Sequence, residues 1–157
     1  MLVAVVGVVF LLSNIQVFLF SHPPRQIASD AYLNEKQINF QIVELTTSDG
    51  IVLNAWYTPP QNGVVILVAH PHAGTIHDGI YALLVQHGYG VLAWDFRAHG
   101  KSGGEFSSLG YYEVLDVKAA LDYVLSQPDV KIIGGWGGSM GAATLILSAC
   151  VKITSVF

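Results

Sequence analysis

The stretch that decides the fold of this chain is residues 131–150, KIIGGWGGSMGAATLILSAC. Its first part, Lys131–Trp136, is predicted to form an apolar strand, and its last part, Met140–Cys150, an apolar helix. Between them, Gly137–Gly141 matches the pattern G-x-S-x-G. Ser139 is therefore expected on a sharp strand-to-helix turn.

A serine at such a turn is a candidate nucleophile. The turn strains the backbone and exposes the hydroxyl, and Gly137 and Gly141 must be small because neighbouring backbone crosses them closely. The N-terminus of the following helix offers N–H groups and a positive dipole end to a developing oxyanion. A purely structural turn and a dinucleotide loop are the alternatives, and the dinucleotide fingerprint needs Gly or Ala where Met140 stands.

The residues before this stretch predict an α/β domain. Runs with strand character cover 40–47, 51–57, 64–69 and 91–95, a hairpin turn is expected at 48–50, helical patterns begin at Thr75 and cover 111–125, and a further strand could begin at 153–157. Thr75 and Asp78 are expected to cap the first of these helices. A hairpin followed by alternating strands and helices predicts a mostly parallel sheet with flanking helices, whose chemistry lies at the C-terminal strand ends.

The N-terminus differs in character from the rest of the chain. Residues 1–20, MLVAVVGVVFLLSNIQVFLF, contain no charged side chain, and a helix of that length would span about 30 Å, the thickness of a bilayer core. We therefore predict a single-pass transmembrane anchor over 1–21, a polar linker over 22–38 and the globular domain over 39–157. A signal peptide or a buried core helix are the alternatives. No basic residue precedes the apolar run and no small-x-small site follows it, as a signal peptide would require. The side of the membrane stays open.

Composition excludes some classes of partner. The net charge is −4 and no cluster of Lys and Arg occurs, which argues against binding to nucleic acid. The single cysteine excludes an internal disulfide and a zinc site built from thiolates.

Three segments carry a resemblance to a known family: TTSDGIVLNAWYTPP, DFRAHGKSGGEFSSLGYYEVLDVKAALDYV and GGWGGSMGAATLILSA. They resemble the α/β-hydrolase superfamily, in particular membrane-anchored serine hydrolases of its peptidase- or esterase-like branch. The resemblance implies the α/β-hydrolase fold, a small-molecule or peptide substrate, and no cofactor or metal. It also implies that Ser139 is the nucleophile and that the backbone N–H groups of Met140 and His72 form the oxyanion hole.

The sequence departs from the family pattern at two places. His70-Pro71 stands where the family has His-Gly, and since proline has no N–H, the second oxyanion donor is expected at His72. Ala98 replaces a glycine, which costs little unless this position needs a positive φ.

The other polar residues are expected to be structural. His70 and His99 are predicted to form hydrogen bonds near the strand ends, and Asp95 to accept loop N–H groups. A metal bound by His70, His72, His77 and Asp78 is the less favoured alternative. Glu113, Asp116 and Asp122 are expected to be solvated on a helix.

After Ser139 the 157 residues contain no Asp, Glu or His. In this fold the acid and the histidine of the triad follow the serine. We therefore expect an incomplete chain that is inactive by itself, unless His72 or His99 replaces the missing base. Two functions remain: a serine hydrolase acting on an ester, amide or thioester, or a non-catalytic hydrolase-fold remnant or binding protein.

Overall fold

The computed structural model describes residues 2–154. Along the chain the elements are α1 (Leu2–Ser21), α2 (Ala31–Glu35), β1 (Gln41–Thr46), β2 (Val52–Thr58), β3 (Val64–Ala69), α3 (Asp78–Gln86), β4 (Gly90–Trp94), α4 (Glu113–Leu125), β5 (Ile132–Gly137) and α5 (Met140–Thr154).

The five strands form one mixed sheet in the order β1-β2-β4-β3-β5. The β1–β2 hairpin is antiparallel and pairs with β4, whereas β3 runs parallel to both β4 and β5. The predicted α/β architecture is confirmed. Because Ala69 pairs with both Trp94 and Gly137, the C-terminal ends of the three parallel strands lie side by side.

The core lies on both faces of the sheet. Along β4 successive side chains alternate between the two faces: Leu92 and Trp94 pack with α4, while Val91 and Ala93 pack with α2 and α3. All of β4 is buried, as its continuous apolar run predicts for a strand covered on both faces.

The N-terminal helix α1 leaves its apolar side chains largely exposed, with Phe10 71% exposed. Among the described residues, no helix combines the length and the apolar character that crossing a membrane requires. The transmembrane part of the fold prediction therefore has no support from the structure.

The segment 22–38, predicted as a linker, is packed on the domain. Leu33 in α2 is fully buried. The guanidinium of Arg25 donates to the backbone carbonyls of Gly100 at 3.2 Å and Gly104 at 2.8 Å, so this segment is tied to the loop after β4.

Two helix ends differ from the predictions. His77, not Thr75, caps α3, because its Nδ1 accepts the N–H of Ile80 at 3.3 Å. At the other end of the chain α5 continues to Thr154, so no strand begins at Ile153; residues 155–157 of that prediction lie outside the described part.

The buried face of α4 was not the one expected. It consists of residues at helical spacing: Glu113, Asp116, Val117, Ala120 and Val124. The prediction that Glu113 and Asp116 are solvated is wrong, because both are fully buried. Asp122, whose side chain is 58% exposed, is solvated as predicted.

Candidate active site

The candidate site lies where β3 and β5 end side by side. The turn after β5 packs directly on the end of β3, and the N–H of Gly138 donates to the carbonyl of Ala69 at 3.2 Å. A Cβ added to Gly138 would have only the ring of Pro71 as a neighbour, at 3.8 Å. Residues 137–141 and 69–74 are thereby brought together, as expected for parallel strands.

Ser139 occupies the strained position that the motif predicts. It has a φ of 48°, in the left-handed region that side-chain-bearing residues rarely adopt, and it is exposed. The N–H of Gly141 donates to the carbonyl of Gly138 at 2.9 Å, which closes the turn around the serine.

The two flanking glycines are required by close backbone contacts. A Cβ on Gly137 would lie 2.7 Å from the amide nitrogen of Ala142, and one on Gly141 would overlap the carbonyl of Ala69. The prediction that both positions must be small is confirmed.

Backbone donors converge on this turn from two directions. α5 begins at Met140, and the N–H groups in the first turn of a helix have no helical acceptor. The other donors belong to the loop after β3, where Gly74 donates to the carbonyl of Pro71 at 3.0 Å and Ala73 donates to Nε2 of His99 at 3.1 Å. Since proline has no N–H, the N–H of His72 is the one within residues 71–74 for which the described residues show no acceptor.

His70 and His99 support the site from beneath. Nε2 of His70 accepts the N–H of Phe96 at 3.0 Å, so its Nδ1 carries the proton and donates to the carbonyl of Pro71 at 2.7 Å. His99 similarly accepts from Ala73 and donates from Nδ1 to the carbonyl of Arg97 at 2.8 Å. Both rings therefore have the structural role expected of them, and His99 has no ring nitrogen left to act as a base.

Burial keeps these two imidazoles neutral. It lowers the pKa of His70 to about 4, and it also lowers the pKa of His99. His72 lies beside them, with its ring centroid 5.5 Å from that of His99, and its buried Nδ1 has no hydrogen-bond partner among the described residues.

Asp95, at the end of β4, organises the surrounding loops as predicted. Its carboxylate accepts the hydroxyl of Thr75 at 2.7 Å and the N–H of Lys101 at 3.0 Å. The amide of Asn54 donates to the same carboxylate at 3.2 Å. Through these contacts Asp95 joins the loop after β3 to the loop after β4 and fixes their relative position.

Glu113 holds the loop over residues 107–110 against the nucleophile helix. It accepts the hydroxyl of Ser107 and the N–H of Gly110, each at 2.8 Å. Burial raises the pKa of Glu113, but hydrogen bonds from Ser108, Ser107 and Gly110 outweigh it and hold that pKa below its ordinary value. The Ser107 hydroxyl lies 3.8 Å from Sδ of Met140, so this loop borders the candidate site.

Arg97 and Asp116 form a buried ion pair behind the same loops. Nη2 of Arg97 lies 2.7 Å from Oδ1 of Asp116, and the backbone N–H of Arg97 donates to Oδ2 at 2.9 Å. The half-exposed Asp49 accepts from the other side of the guanidinium at 2.8 Å, and Arg97 lowers the pKa of Asp49 to about 2.

The supporting roles of Glu113 and Asp116 were missed at the level of sequence. The signal was present, because both acids fall at the same helical spacing as Val117, Ala120 and Val124. Because Asp and Glu are almost never fully buried unless they are paired, acids at these positions also indicate hydrogen-bonding or charged partners nearby.

The φ of Ala98 is 60°, so the replacement of the family's glycine does place a side chain in the left-handed region.

Within residues 2–154, no group of three His, Cys, Asp or Glu side chains is arranged to hold a metal ion. His77, one of the residues considered for such a site, instead caps α3.

A mixed sheet in which β3, β4 and β5 run parallel, with a serine on a left-handed turn between strand and helix, is typical of an α/β hydrolase. The family described as serine aminopeptidase, S33, matches residues 59–154, and the chain belongs to this family.

Individual relatives agree with this assignment. The Pyrococcus furiosus esterase Pf2001 superposes with a TM-score of 0.72 at 32% identity, over 80% of this chain and 51% of the esterase. Est1E of Butyrivibrio proteoclasticus, solved with bound ferulic acid, gives a TM-score of 0.62 at 26% identity, over 71% of this chain and 48% of Est1E. Protein YfhR of Escherichia coli is 28% identical over 149 residues, 88% of this chain and 50% of YfhR. The chain thus spans about half the length of the curated relatives it matches.

Proposed function

We propose that this chain supplies the nucleophile and the oxyanion hole of a serine hydrolase acting on an ester, amide or thioester. The observation that carries the proposal is the backbone of Ser139. A φ of 48° is energetically unfavourable for a serine, and such strain persists mainly where the surrounding structure imposes it. Gly137 and Gly141 impose it here through contacts that exclude any side chain.

The donors around the turn support an oxyanion hole made by the N–H groups of Met140 and His72. Ala73 and Gly74 are already engaged as donors, and Pro71 cannot donate. Removing one such donor from a hydrolase typically costs about 100- to 1,000-fold in kcat. His99 fixes this loop through Ala73, so we assign it a positioning role.

In the proposed reaction Oγ of Ser139 forms a bond to the acyl carbon. The bond to the leaving alcohol, amine or thiol breaks, and the leaving group takes up the proton that the serine gives to a base. Water then hydrolyses the acyl-serine and releases the acid. The base and its acid partner follow the nucleophile in this fold, and residues 140–157 contain neither.

The test is covalent labelling with a fluorophosphonate of the chain completed by a C-terminal segment that supplies the acid and the histidine of the triad. We expect labelling of the wild type, loss of labelling in Ser139→Ala, and unchanged labelling in Ser126→Ala, which removes an exposed hydroxyl at the end of α4. Equal labelling of the Ser139→Ala variant would place the nucleophile elsewhere. No labelling of the wild type would instead favour a non-catalytic binding protein.

We also propose that α1 associates the protein with a membrane. Its apolar side chains are largely exposed from Val5 to Phe20, and Arg25 ties the following segment to the domain. A single-pass anchor is the strong form of this proposal and predicts retention in the membrane fraction after alkaline carbonate washing. Release by carbonate would limit α1 to surface binding, and recovery in the soluble fraction before washing would refute both forms.

A further inference from the structure

A groove runs between the last turns of α1 and the loop held by Glu113. It has a volume of about 500 Å³. The residues that line it on the helix side are Ser13, Gln16, Val17, Phe20 and Ser21, and those on the loop side are Ser107, Ser108 and Leu109. We call it the α1 groove.

The α1 groove adjoins both residues of the proposed oxyanion hole. The ring of Phe20 is stacked on the imidazole of His72, with 6.1 Å between centroids. On the opposite wall the hydroxyl of Ser107 lies 3.8 Å from Sδ of Met140. A ligand whose reacting carbonyl occupied the oxyanion hole could therefore extend directly into the groove.

The wall chemistry favours an apolar ligand. None of the lining residues is charged, and Val17, Phe20 and Leu109 contribute apolar surface. Three of the lining hydroxyls are already used as donors: Ser107 and Ser108 donate to Glu113, and Ser21 donates to the carbonyl of Phe18. The other polar groups of the lining are the uncharged side chains of Ser13 and Gln16. A charged ligand would lose hydration here without gaining a side chain of opposite charge.

The groove is held in shape by contacts outside its walls. The N–H of Ser107 donates to the carbonyl of Ser21 at 2.7 Å, which joins the loop to the end of α1. The carboxylate of Glu113 fixes the loop from below through Ser107, Ser108 and Gly110. A groove built in this way can bind a chain without first ordering a loop.

We propose that the α1 groove binds the apolar acyl chain of an ester or thioester substrate whose carbonyl is attacked by Ser139. The inference rests on the proposed function and narrows its substrate class from any acyl compound to one with an extended hydrocarbon chain. It also gives α1 a role in catalysis that a simple anchor would lack.

The experiment uses the same chain, completed by a C-terminal segment that supplies the acid and the histidine, in lipid nanodiscs. It compares p-nitrophenyl acetate with p-nitrophenyl octanoate as substrates. About 0.8 kcal/mol per buried CH₂ corresponds to about a fourfold gain per methylene, so even partial burial should raise kcat/KM for octanoate by at least tenfold over acetate. Val17→Trp should fill the groove and lower the ratio of kcat/KM for octanoate to kcat/KM for acetate by about tenfold.

The matched control is Val8→Trp, at an exposed valine of α1 that does not line the groove and that should leave both substrates unchanged. Equal effects of the two tryptophans, or no preference for octanoate, would overturn the groove assignment. In that case acetate turnover abolished by Ser139→Ala would leave the proposed function intact. Acetate turnover that survives Ser139→Ala, or no turnover of either ester, would overturn both.

Discussion

The substitution Asp116→Ala should destabilise the domain strongly. The side chain of Asp116 is fully buried, and that of Arg97 is only 7% exposed. Oδ1 of Asp116 accepts Nε of Arg97 at 2.9 Å and Nη2 at 2.7 Å, and Oδ2 accepts the backbone N–H at 2.9 Å. The alanine would leave a buried cation and a buried N–H without these acceptors.

The size of the effect follows from what remains around Arg97. Breaking a buried ion pair by removing one partner costs about 3–5 kcal/mol. Asp49 still accepts two hydrogen bonds from the guanidinium, at 2.8 and 3.1 Å, but its side chain is 38% exposed and offers less compensation. We therefore expect the low end of that range, about 3 kcal/mol.

The same helix offers a matched control in Asp122→Ala. Asp122 is 58% exposed and pairs with Lys118 one turn away, an arrangement that contributes about 0.3–0.5 kcal/mol. The free energy of unfolding would be measured from urea titrations followed by tryptophan fluorescence, to which the buried Trp56 and Trp94 contribute. Losses for the two variants that agree within about 1 kcal/mol would refute the reasoning, because the buried pair would then contribute no more than the exposed one.

Two further predictions concern pH and the turn at the nucleophile. Burial lowers the pKa of His70 from its ordinary value of 6.5 to about 4 in the folded state. The contribution of neutral His70 to the free energy of unfolding is therefore fully present above pH 6.5 and is lost as the pH falls toward 4. His70→Gln should remove about 3 kcal/mol of pH-dependent stability over that window, and an unchanged slope of unfolding free energy against pH would contradict this. Gly141→Ala should abolish cooperative thermal unfolding, because its Cβ would overlap the end of β3, whereas Gly138→Ala, with nothing closer than 3.8 Å, should fold. Similar melting of the two alanine variants would show that Gly141 does not pack on the carbonyl of Ala69 as closely as the structure indicates.

Much of the candidate site follows from residues that are adjacent in sequence. The pattern Gly137–Gly141 predicted the turn, its strain and its two obligatory glycines, because these are consequences of local backbone geometry. The likeness of the loop after β3 to a family pattern pointed to His72, since proline at position 71 cannot donate.

The parts that the sequence left open depend on partners distant in the chain. His99 accepts the N–H of Ala73, 26 residues earlier, while no acceptor is seen for the neighbouring N–H of His72 among the described residues. Phe20 meets His72 across an even longer separation. No local pattern contains such pairings.

By itself the sequence determined the order and type of most of the elements of the sheet, and the strained serine turn at its C-terminal edge. Strand and helix periodicity and the sterics of a glycine-flanked serine act over a few residues, so they can be recognised without the fold. Only the tertiary structure decided that Glu113 and Asp116 are buried, that residues 22–38 are packed and that α1 borders the site. Each of these features depends on burial and on hydrogen bonds between segments distant in the sequence. How strongly a side chain is desolvated is decided by the assembled fold and cannot be deduced from the residue type.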